Sequence, residues 1–555
     1  MFVRKVPVKH GESSYSYLRV VENVRQQGRV VQRTVLNLGS VAQWEGERLA
    51  TLVRVLTEFL GAPAPSAGWS LADVSVSESR VLGPYLPLAQ LWERLGLDAL
   101  LEQAFAGRAE RAVWRACVKA MVCTHLVTPR SKLATWARVR ERVEIPGVEG
   151  AALPLHAYYR ALTALAAAKG PLEEALHRQV RHLFNQELTL VFYDMTSAYF
   201  EGTQCKRARH GYSREHRPDL LQIELGLLVD AEGLPIGHEL FDGNVKDTAT
   251  VLTALKRLRE RFEVRRCVFV GDDGMASETN LRAIAQAGYE YITSLSLGHS
   301  RVGEMLLADA PPRWQWPALP DSAMRLRRLG EDAGDRYLGS FAPERAAATR
   351  STRQRRLRQC VDALRAWQAP PKSRGRKCPP QQVLSKADRL LRQKHCRGLF
   401  RLALTSDERL AWSLDREALR RERRRDGVLV LQTNSTTLTD AEVASGYRTL
   451  WRVEDAFRHL KDDIHLRPIR HWSDPRVAGH VVVCVLAYLL DRLYERELAK
   501  ADVPVSAREA LEQLSSITVA TLEAGGQRIR RRARITPAQQ RLLAAVGLQQ
   551  IPEVW

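Results

Sequence analysis

The feature that most constrains this fold is a fixed order of short apolar runs and amphipathic segments in residues 188–295. The apolar runs are rich in β-branched residues and are bounded by turn or acidic residues, which is typical of strands. The amphipathic segments repeat apolar residues every three or four positions, which is typical of helices. The first three predicted strands are Leu188 to Tyr193, Gln222 to Val229 and a returning strand that runs through Phe241. After them come a helix at Thr248 to Phe262, a fourth strand at Cys267 to Gly271, a helix at Ser277 to Ala287 and a fifth strand at Tyr289 to Leu295. This order predicts an α/β sheet.

Two aspartates follow apolar strands of the predicted sheet, Asp194 after the first strand and Asp272 after the fourth. A third acid, Glu454, falls in a helix that we expect to begin near Thr439, with Asp440 as its cap. Two carboxylates at neighbouring strand ends and one on a facing helix suit two divalent cations in an in-line phosphoryl transfer. Oxygen ligands of this kind prefer Mg²⁺ or Mn²⁺ to zinc. The alternative interpretation of each acid taken alone is that its carboxylate accepts a hydrogen bond from a nearby turn and holds no metal.

The predicted helix around Glu454 has two distinct faces. One face carries an aromatic hydroxyl, an indole, the acid and two cations: Tyr447, Trp451, Glu454, Arg458 and Lys461. A separate apolar stripe is formed by Leu450, Val453, Phe457 and Leu460. The helix can therefore pack on the sheet while presenting the acid. The alternative is an ordinary amphipathic helix in which Glu454 and Arg458 form a surface ion pair of little energetic value.

The charge of the chain favours a polyanionic partner. Its 555 residues carry 84 Lys plus Arg against 63 Asp plus Glu, a formal net charge of +21. Each phosphate that is neutralised releases condensed counterions, so nucleic acid is the expected partner; acidic lipid and Arg-rich genomic composition are the alternatives. The run Val477 to Leu490 is too short to span a bilayer and predicts a buried core helix. With no apolar leader at the N-terminus, we expect a cytoplasmic protein without a membrane partner.

The cysteines do not form a metal-binding motif in the sequence. All eight are scattered, and no Cys-x-x-Cys pair occurs, which argues against a structural zinc site or a disulfide framework. The only loose cluster is Cys360, Cys378, His395 and Cys396. We therefore expect no cofactor apart from the catalytic cations.

Four segments resemble the catalytic blocks of bacterial DDE-type insertion-sequence transposases. They read FYDMTSAYFEG, GYSREHRPDLLQIELGLLVDAEGLPIGHELFDGN, VGDDGMASETNL and YRTLWRVEDAFRHLKDDIHLRPIRHW. They are similar to the branch marked by a tyrosine–arginine–glutamate–lysine signature around the last acid. The resemblance covers residues 187–295 and 426–495 closely, and the N-terminal regions only in general character.

The resemblance implies an RNase H-like core that an insertion interrupts before the helix of the last acid. It implies cut-and-paste transposition, in which the freed 3′-hydroxyl attacks the opposite strand to give a hairpin and the 3′-ends later join target DNA. It assigns Asp194, Asp272 and Glu454 as ligands of Mg²⁺, with Mn²⁺ as a substitute, and Tyr447 and Lys461 as contacts of the DNA backbone. The partners implied are the terminal inverted repeats and target DNA, bound by a homodimer on paired ends at the nucleoid.

The sequence departs from the signature at two positions. Leu450 stands where the signature has arginine, so Arg448 or Arg452 would have to supply that charge. Asp273 stands where similar members often have a basic residue. Asp272 fits the D-x-G-M pattern better, so we take it as the ligand and keep Asp273 as the alternative.

Several further residues have two possible roles each. Arg217, with His216 and Asp219, either positions DNA or forms a local ion-paired turn. Asn244 is either a turn residue or a DNA contact, and Trp451 either stacks on a displaced base or packs in the core. Arg458 and Arg448 are the other cations that we expect near DNA. The Arg-rich insertion is either a phosphate-tracking surface or a solvated face.

These patterns predict six regions along the chain. They are a β-hairpin module with a linker (1–65), a helical DNA-end-binding region (66–183), the first part of the catalytic core (184–297), a basic insertion domain (298–434), the second part of the core with the glutamate helix (435–500) and a basic helical tail (501–555).

Two other functions remain open from the residues. A metal-dependent nuclease on the same fold would cut DNA without joining it, but would not need the long insertion between Asp272 and Glu454. A DNA-binding regulator or a decayed relative would need no acids, yet all three are present.

Overall fold

The computed structural model describes residues 2–10, 13–26, 29–41, 74–184, 190–245, 250–262, 264, 267–274, 277–295, 297, 301–319, 322–368, 379–524 and 527–554. Within these residues, eight strands form a central sheet: β5 (Leu190–Tyr199), β6 (Gln222–Asp230), β7 (Pro235–Asp242), β8 (Val268–Val270), β9 (Glu290–Leu295), β10 (Arg325–Asp332), β11 (Asp335–Phe341) and β14 (Val428–Thr433). Their order across the sheet is β10-β11-β14-β9-β8-β5-β6-β7.

Five of these strands give the RNase H-like core that the sequence predicts. Strands β5, β6 and β7 are antiparallel neighbours, whereas β5, β8 and β9 are parallel. The parallel connections pass through helices α6 (Val251–Glu260) and α7 (Glu278–Gln286). All nine residues of β6 are buried, as a strand covered on both faces must be. The predicted fold class is confirmed.

The two faces of the sheet bury different apolar clusters. One cluster joins Val191, Tyr193 and Phe269 to α6 and α7. The other joins alternate residues of the same strands, such as Phe192 and Val270, to helices on the opposite side. These helices are α12 (Asp440–Arg448), α13 (Trp451–Arg458), the π-helical turn His459–Asp463 and α14 (Asp474–Lys500).

Helix α14 is the centre of a helical layer. It packs against α3 (Arg111–Val127) and α5 (Leu155–Phe184), with α1 (Tyr85–Arg94), α2 (Leu97–Ala104) and α4 (Lys132–Glu141) around them. Helix α14 is long and apolar enough to cross a membrane by length and composition, but 89% of its most apolar window is buried in the fold. It is therefore best explained as the core helix that the sequence predicts.

The N-terminal region forms a separate small sheet. Three described strands, β1 (Phe2–His10), β2 (Ser13–Gln26) and β3 (Arg29–Ser40), pair antiparallel in that order. Gln26 pairs with Arg29, as the predicted hairpin requires, while the turn at Gln27 and Gly28 lies outside the described residues. The sheet thus has one strand more than the predicted hairpin.

The C-terminal segment is not purely helical. Helices α15 (Ala507–Leu514) and α16 (Pro537–Ala544) flank a hairpin of β15 (Thr518–Ala524) and β16 (Gln527–Arg532). Strand β15 also pairs with β4 (Ser75–Val81), so the C-terminal segment shares a sheet with the strand that precedes the first helix. Strand β4 precedes the helices of the region that the sequence predicts as helical.

The basic insertion extends the central sheet and adds a small subdomain. Strand β14 pairs antiparallel with β9 and then with β11, so it belongs to the main sheet. Helix α8 (Arg301–Ala308) packs beside β10. The subdomain contains α9 (Pro343–Gln368), α10 (Pro380–Gln393), α11 (Arg416–Arg425) and the hairpin of β12 (Phe400–Leu404) and β13 (Leu410–Leu414). Cys360 and Cys396 are buried in its apolar core, and Cys378 lies outside the described residues.

Candidate active site

Asp194 and Asp272 lie at the same offset from the last residue pair of two adjacent parallel strands. Strand β5 pairs with β8 so that Leu190 lies opposite Val268 and Phe192 opposite Val270. Strand β8 ends there, and Asp194 and Asp272 each lie two residues beyond this last pair. Asp194 lies within β5, which runs on to Tyr199, and not after the end of the strand as the sequence suggests. The longer strand results from its pairing with β6, where Asp194 lies opposite Leu227.

The alternation of strand β5 places Asp194 on the face covered by the glutamate helix. Val191, Tyr193 and Met195 point to the opposite face, where they join the cluster of α6 and α7. Phe192 belongs to the cluster that contains Val453 and Phe457 of α13. Asp194 shares this side of the sheet because side chains alternate along a strand. One of its carboxylate oxygens accepts a hydrogen bond of 2.7 Å from the backbone N–H of Met195.

Asp272 lies in a tight turn directly after β8. Its carbonyl oxygen accepts a hydrogen bond of 3.1 Å from the Thr293 hydroxyl of β9. A Cβ atom added to Gly274 would lie 3.2 Å from Oδ1 of Asp272, so a larger residue there would displace the carboxylate slightly. Asp272 is half-buried and Asp273 is exposed. This difference in burial favours Asp272 over Asp273.

Tyr447 connects the second aspartate with the glutamate. Burial raises the pKa of the Tyr447 phenol; a hydrogen bond with Ser294 opposes this rise, and the negative charges of Asp272, Asp273 and Glu454 add to it. Only groups close to the phenol have such an effect. Glu454 is exposed on α13, whose Val453, Ala456 and Phe457 are buried against the sheet. Asp272 and Glu454 thus lie near Tyr447, and Asp194 lies on the face of β5 that the helix of Glu454 covers.

The helix predicted as continuous from Thr439 is interrupted. Helix α12 ends at Arg448 and α13 begins at Trp451, with i to i+3 backbone bonds such as Leu450 to Tyr447 between them. The Thr449 hydroxyl donates to the Gly446 carbonyl at 2.7 Å, a local bond that competes with regular helix. Tyr447 and Glu454 therefore lie on successive short helices.

The predicted cap of α12 is wrong by one residue. Thr439 is the cap, in a reciprocal capping box with Glu442. Asp440 instead accepts hydrogen bonds from Arg328 and Arg336, each at 2.7 Å, and so ties α12 to strands β10 and β11. The sequence could not show this role because both arginines come from the insertion.

Lys461 lies in the π-helical turn after α13 and is paired with Glu215. The ammonium contacts one carboxylate oxygen of Glu215, and Arg467 donates to the other at 2.7 Å. Burial lowers the pKa of Lys461, and the bond with Glu215 opposes this shift. Sequence reasoning singled out Lys461 but missed Glu215, whose only signal was its place in the GYSREHRPD block.

The remaining predicted DNA contacts are spread around this site. Arg448 is exposed, and Arg458 is exposed but contacts Asp455. Arg217 forms a bidentate pair with Asp219, at 3.0 and 2.8 Å, which matches the ion-paired turn. Trp451 is 53% exposed, so it is not a core residue. Leu450 is only 8% exposed, which explains why the arginine of the family signature does not fit here.

The donor set of this site fits hard divalent cations. Asp194, Asp272 and Glu454 offer only carboxylate oxygens, which Mg²⁺ and Mn²⁺ prefer. Asp194 is on strand β5, Asp272 is in the turn after β8, and Glu454 is on a helix that packs against β5 and β6. Such an arrangement can hold cations at a phosphodiester and exclude softer metals, which would seek nitrogen or sulfur.

The chain is similar to two protein families and to a solved structure. The family described as "Transposase DDE domain" matches residues 185–490, more than half of the chain. The domain described as "IS1634 family transposase, N-terminal domain" matches residues 3–66. One similar solved structure is the "Cryo-EM structure of piggyBac transposase synaptic complex with hairpin DNA", at 9% identity and a TM-score of 0.37 over 78% of this chain and 79% of that chain. No curated protein matches the chain.

Proposed function

The chain belongs to the DDE transposase family of insertion sequences, and from that premise we propose that Asp194, Asp272 and Glu454 are its catalytic metal ligands. The family assignment makes it a DNA-cleaving and strand-transferring enzyme that depends on divalent metal and acts on DNA in the cytoplasm. The proposal adds that it cleaves the ends of its own element and joins the 3′-ends to target DNA. Its strongest support is the pairing of β5 with β8, because Asp194 and Asp272 each follow its last pair, Phe192 and Val270, by two residues.

Mg²⁺ is the proposed ion, with Mn²⁺ as a substitute, because the three residues offer oxygen atoms only. Bound there, a pair of such cations would activate the attacking oxygen and stabilise the leaving oxygen of the phosphodiester. The fold itself holds the three acids in position. Strands β5 and β8 hold the two aspartates, and the buried face of α13 holds Glu454 against them.

Tyr447 is the proposed hydrogen-bond donor to the reacting strand. Burial and the neighbouring acids raise its pKa, so its hydroxyl keeps its proton at neutral pH. A neutral O–H beside three carboxylates can donate to a phosphate oxygen without adding negative charge. Lys461, Arg458, Arg448 and Arg217 are the proposed contacts of the DNA backbone, since cations bind phosphates along the whole duplex.

We propose cut-and-paste transposition through a hairpin intermediate, because the sequence resembles the branch whose members have a tyrosine and a lysine around the last acid. A homodimer on paired ends and association with the nucleoid belong to the same proposal. The hairpin predicts a specific product: a covalently closed element end that migrates as a single strand of doubled length under denaturing conditions.

A strand-transfer assay tests the proposed function. The full chain is incubated with Mg²⁺, DNA carrying the ends of its element and a supercoiled plasmid. Joined products, lost in Asp194→Asn, support the proposal. Cleavage without joining would favour a nuclease, and binding without cleavage would favour a DNA-binding regulator.

A further inference from the structure

A group of buried nitrogen and sulfur side chains lies where helix α3 meets helix α14, away from the three acids in the fold. Its members are His125 on α3, Lys132 at the start of α4, and His480 and Cys484 one turn apart on α14. All four side chains are buried. The ligand atoms of His125, His480 and Cys484 all lie within 4.8 Å of one another.

The distances in this group match the edges of a tetrahedral metal site. Cys484 Sγ lies 3.5 Å from His125 Nε2 and 3.8 Å from His480 Nδ1, and Lys132 Nζ lies 3.4 Å from His480 Nδ1. With zinc bonds of about 2.0–2.1 Å to nitrogen and about 2.3 Å to sulfur, tetrahedral angles separate neighbouring ligand atoms by about 3.3–3.6 Å. The side chains therefore surround a space of the size of one such cation.

The imidazole of His480 is oriented as metal ligands usually are. The carbonyl oxygen of Leu466 lies 3.2 Å from His480 Nε2, so Nε2 carries the proton and donates it there. The other ring nitrogen, Nδ1, lies 3.8 Å from Sγ of Cys484 and keeps its lone pair. A backbone carbonyl that fixes the tautomer in this way is typical of metal-binding histidines.

The electrostatics of the group favour neutral imidazoles. Burial holds the pKa of His125 and His480 well below the usual range, and the charge of Lys132 lowers both further. Burial raises the pKa of the Cys484 thiol to about 12, so the sulfur is protonated in the absence of a cation. A coordinated thiol loses its proton outright, because the cation compensates its charge.

We propose that His125, His480 and Cys484 form a structural Zn²⁺ site. Two imidazoles and one thiolate suit a borderline cation such as Zn²⁺ better than Mg²⁺. When Zn²⁺ binds, the Sγ–H proton of Cys484 leaves to solvent and a Zn–S bond replaces it. The proposal does not depend on the assignment of the catalytic acids.

The site would fix the segment that follows the glutamate helix. Leu466, whose carbonyl bonds His480, also donates its backbone N–H to the Leu460 carbonyl in the turn after α13, at 2.8 Å. A cation at this position would therefore join α3, α14 and the end of the Glu454 segment. Its energetic effect is structural, because metal binding to the folded chain adds to folding stability.

Cobalt absorption tests the site without relying on activity. The full-length protein, stripped of metal by a chelator, is titrated with Co²⁺. We expect one equivalent to give an ultraviolet thiolate-to-cobalt charge-transfer band with intense visible bands of tetrahedral cobalt, and Zn²⁺ to remove both. Co²⁺ at the carboxylate site gives no sulfur band, so the two sites are distinguishable.

Matched variants decide the outcome. The band should be absent in Cys484→Ala and in His480→Ala, and present in Cys117→Ala, which removes another buried thiol of α3, and in Asp272→Asn. Zn²⁺ should raise the melting temperature of the native chain and of Cys117→Ala, but not of Cys484→Ala; circular dichroism verifies that each variant is folded. A folded native chain without the sulfur band, or a band that survives in Cys484→Ala, would overturn the proposal.

Discussion

Asp194 and Asp272 each lie two residues beyond Phe192 and Val270, the last pair between strands β5 and β8, Asp194 within β5 and Asp272 in the turn after β8. Asp273, the next residue, is exposed, although it too is close enough to Tyr447 to raise the pKa of that phenol. The equal offset and the greater exposure of Asp273 favour Asp272 as the ligand, and they make a direct prediction.

Asp272→Asn should reduce strand transfer by more than about 100-fold, because loss of a metal ligand costs at least as much as loss of its supporting shell. Asp273→Asn should leave the rate close to that of the native chain. Rates measured in Mg²⁺ with both variants at equal folded concentration check this. The reverse order of effects would make Asp273 the ligand.

Tyr447→Phe should slow cleavage by about 10- to 100-fold, the value of one hydrogen bond to a charged group. Its melting temperature should change little, because the ring keeps its packing. The raised pKa of Tyr447 also predicts no loss of rate from its ionisation as the pH rises through the ordinary tyrosine range. A full rate in Tyr447→Phe would remove the hydroxyl from the mechanism.

The ion pair between Glu215 and Lys461 should make the native state sensitive to acid. Burial raises the pKa of Glu215, and the hydrogen bonds and charges of Lys461 and Arg467 lower it by more, so the net shift is downward. A carboxylate with a lowered pKa in the folded state stabilises above its unfolded pKa, and this stability is lost as the pH falls through the folded value. The free energy of unfolding of Glu215→Gln should therefore be lower at neutral pH, by about 3 kcal/mol. It should also depend less on pH below the range in which glutamate ordinarily titrates.

The control for this pair is Glu260→Gln, which makes the same change in the exposed pair with Lys256. Chemical denaturation at pH 7 and at acid pH gives the free energy of unfolding for each protein. Equal acid sensitivity in the native chain and in Glu215→Gln would contradict the account.

Arg448→Ala should weaken DNA binding uniformly across sequences, because an exposed cation beside the site would neutralise one phosphate. The slope of log affinity against log salt should fall by about one. Fluorescence anisotropy at several salt concentrations measures this. An unchanged slope with native affinity would place Arg448 outside the DNA interface.

The fold of the core was predictable because its elements are local. The strands around Asp194 and Asp272 and the helices between them show their period in the sequence, and the structure agrees within a few residues. The longer course of β5 was not visible, since it depends on pairing with β6. The break at Thr449 was also hidden, because it results from a side-chain bond to Gly446.

The contacts between distant segments could not be predicted. Lys461 and Glu215 form an ion pair although almost half of the chain separates them in sequence. Asp440 likewise pairs with Arg328 and Arg336 of the insertion. The proposed zinc ligands His125 and Cys484 are further apart still, so a search for closely spaced cysteines misses them. Spacing rules detect sites built by one segment, whereas these sites are built by folding.

Cysteine substitution with a change of metal tests the central claim most directly, because a thiolate disfavours Mg²⁺ and accepts the softer Mn²⁺. Asp194→Cys, Asp272→Cys and Glu454→Cys should be inactive in strand transfer with Mg²⁺ and should regain activity with Mn²⁺, while Asp273→Cys should be active with both. Restoration by Mn²⁺ at all three positions is the result that the account predicts. Full activity of any of the three with Mg²⁺, or a metal switch at Asp273 in place of Asp272, would contradict it.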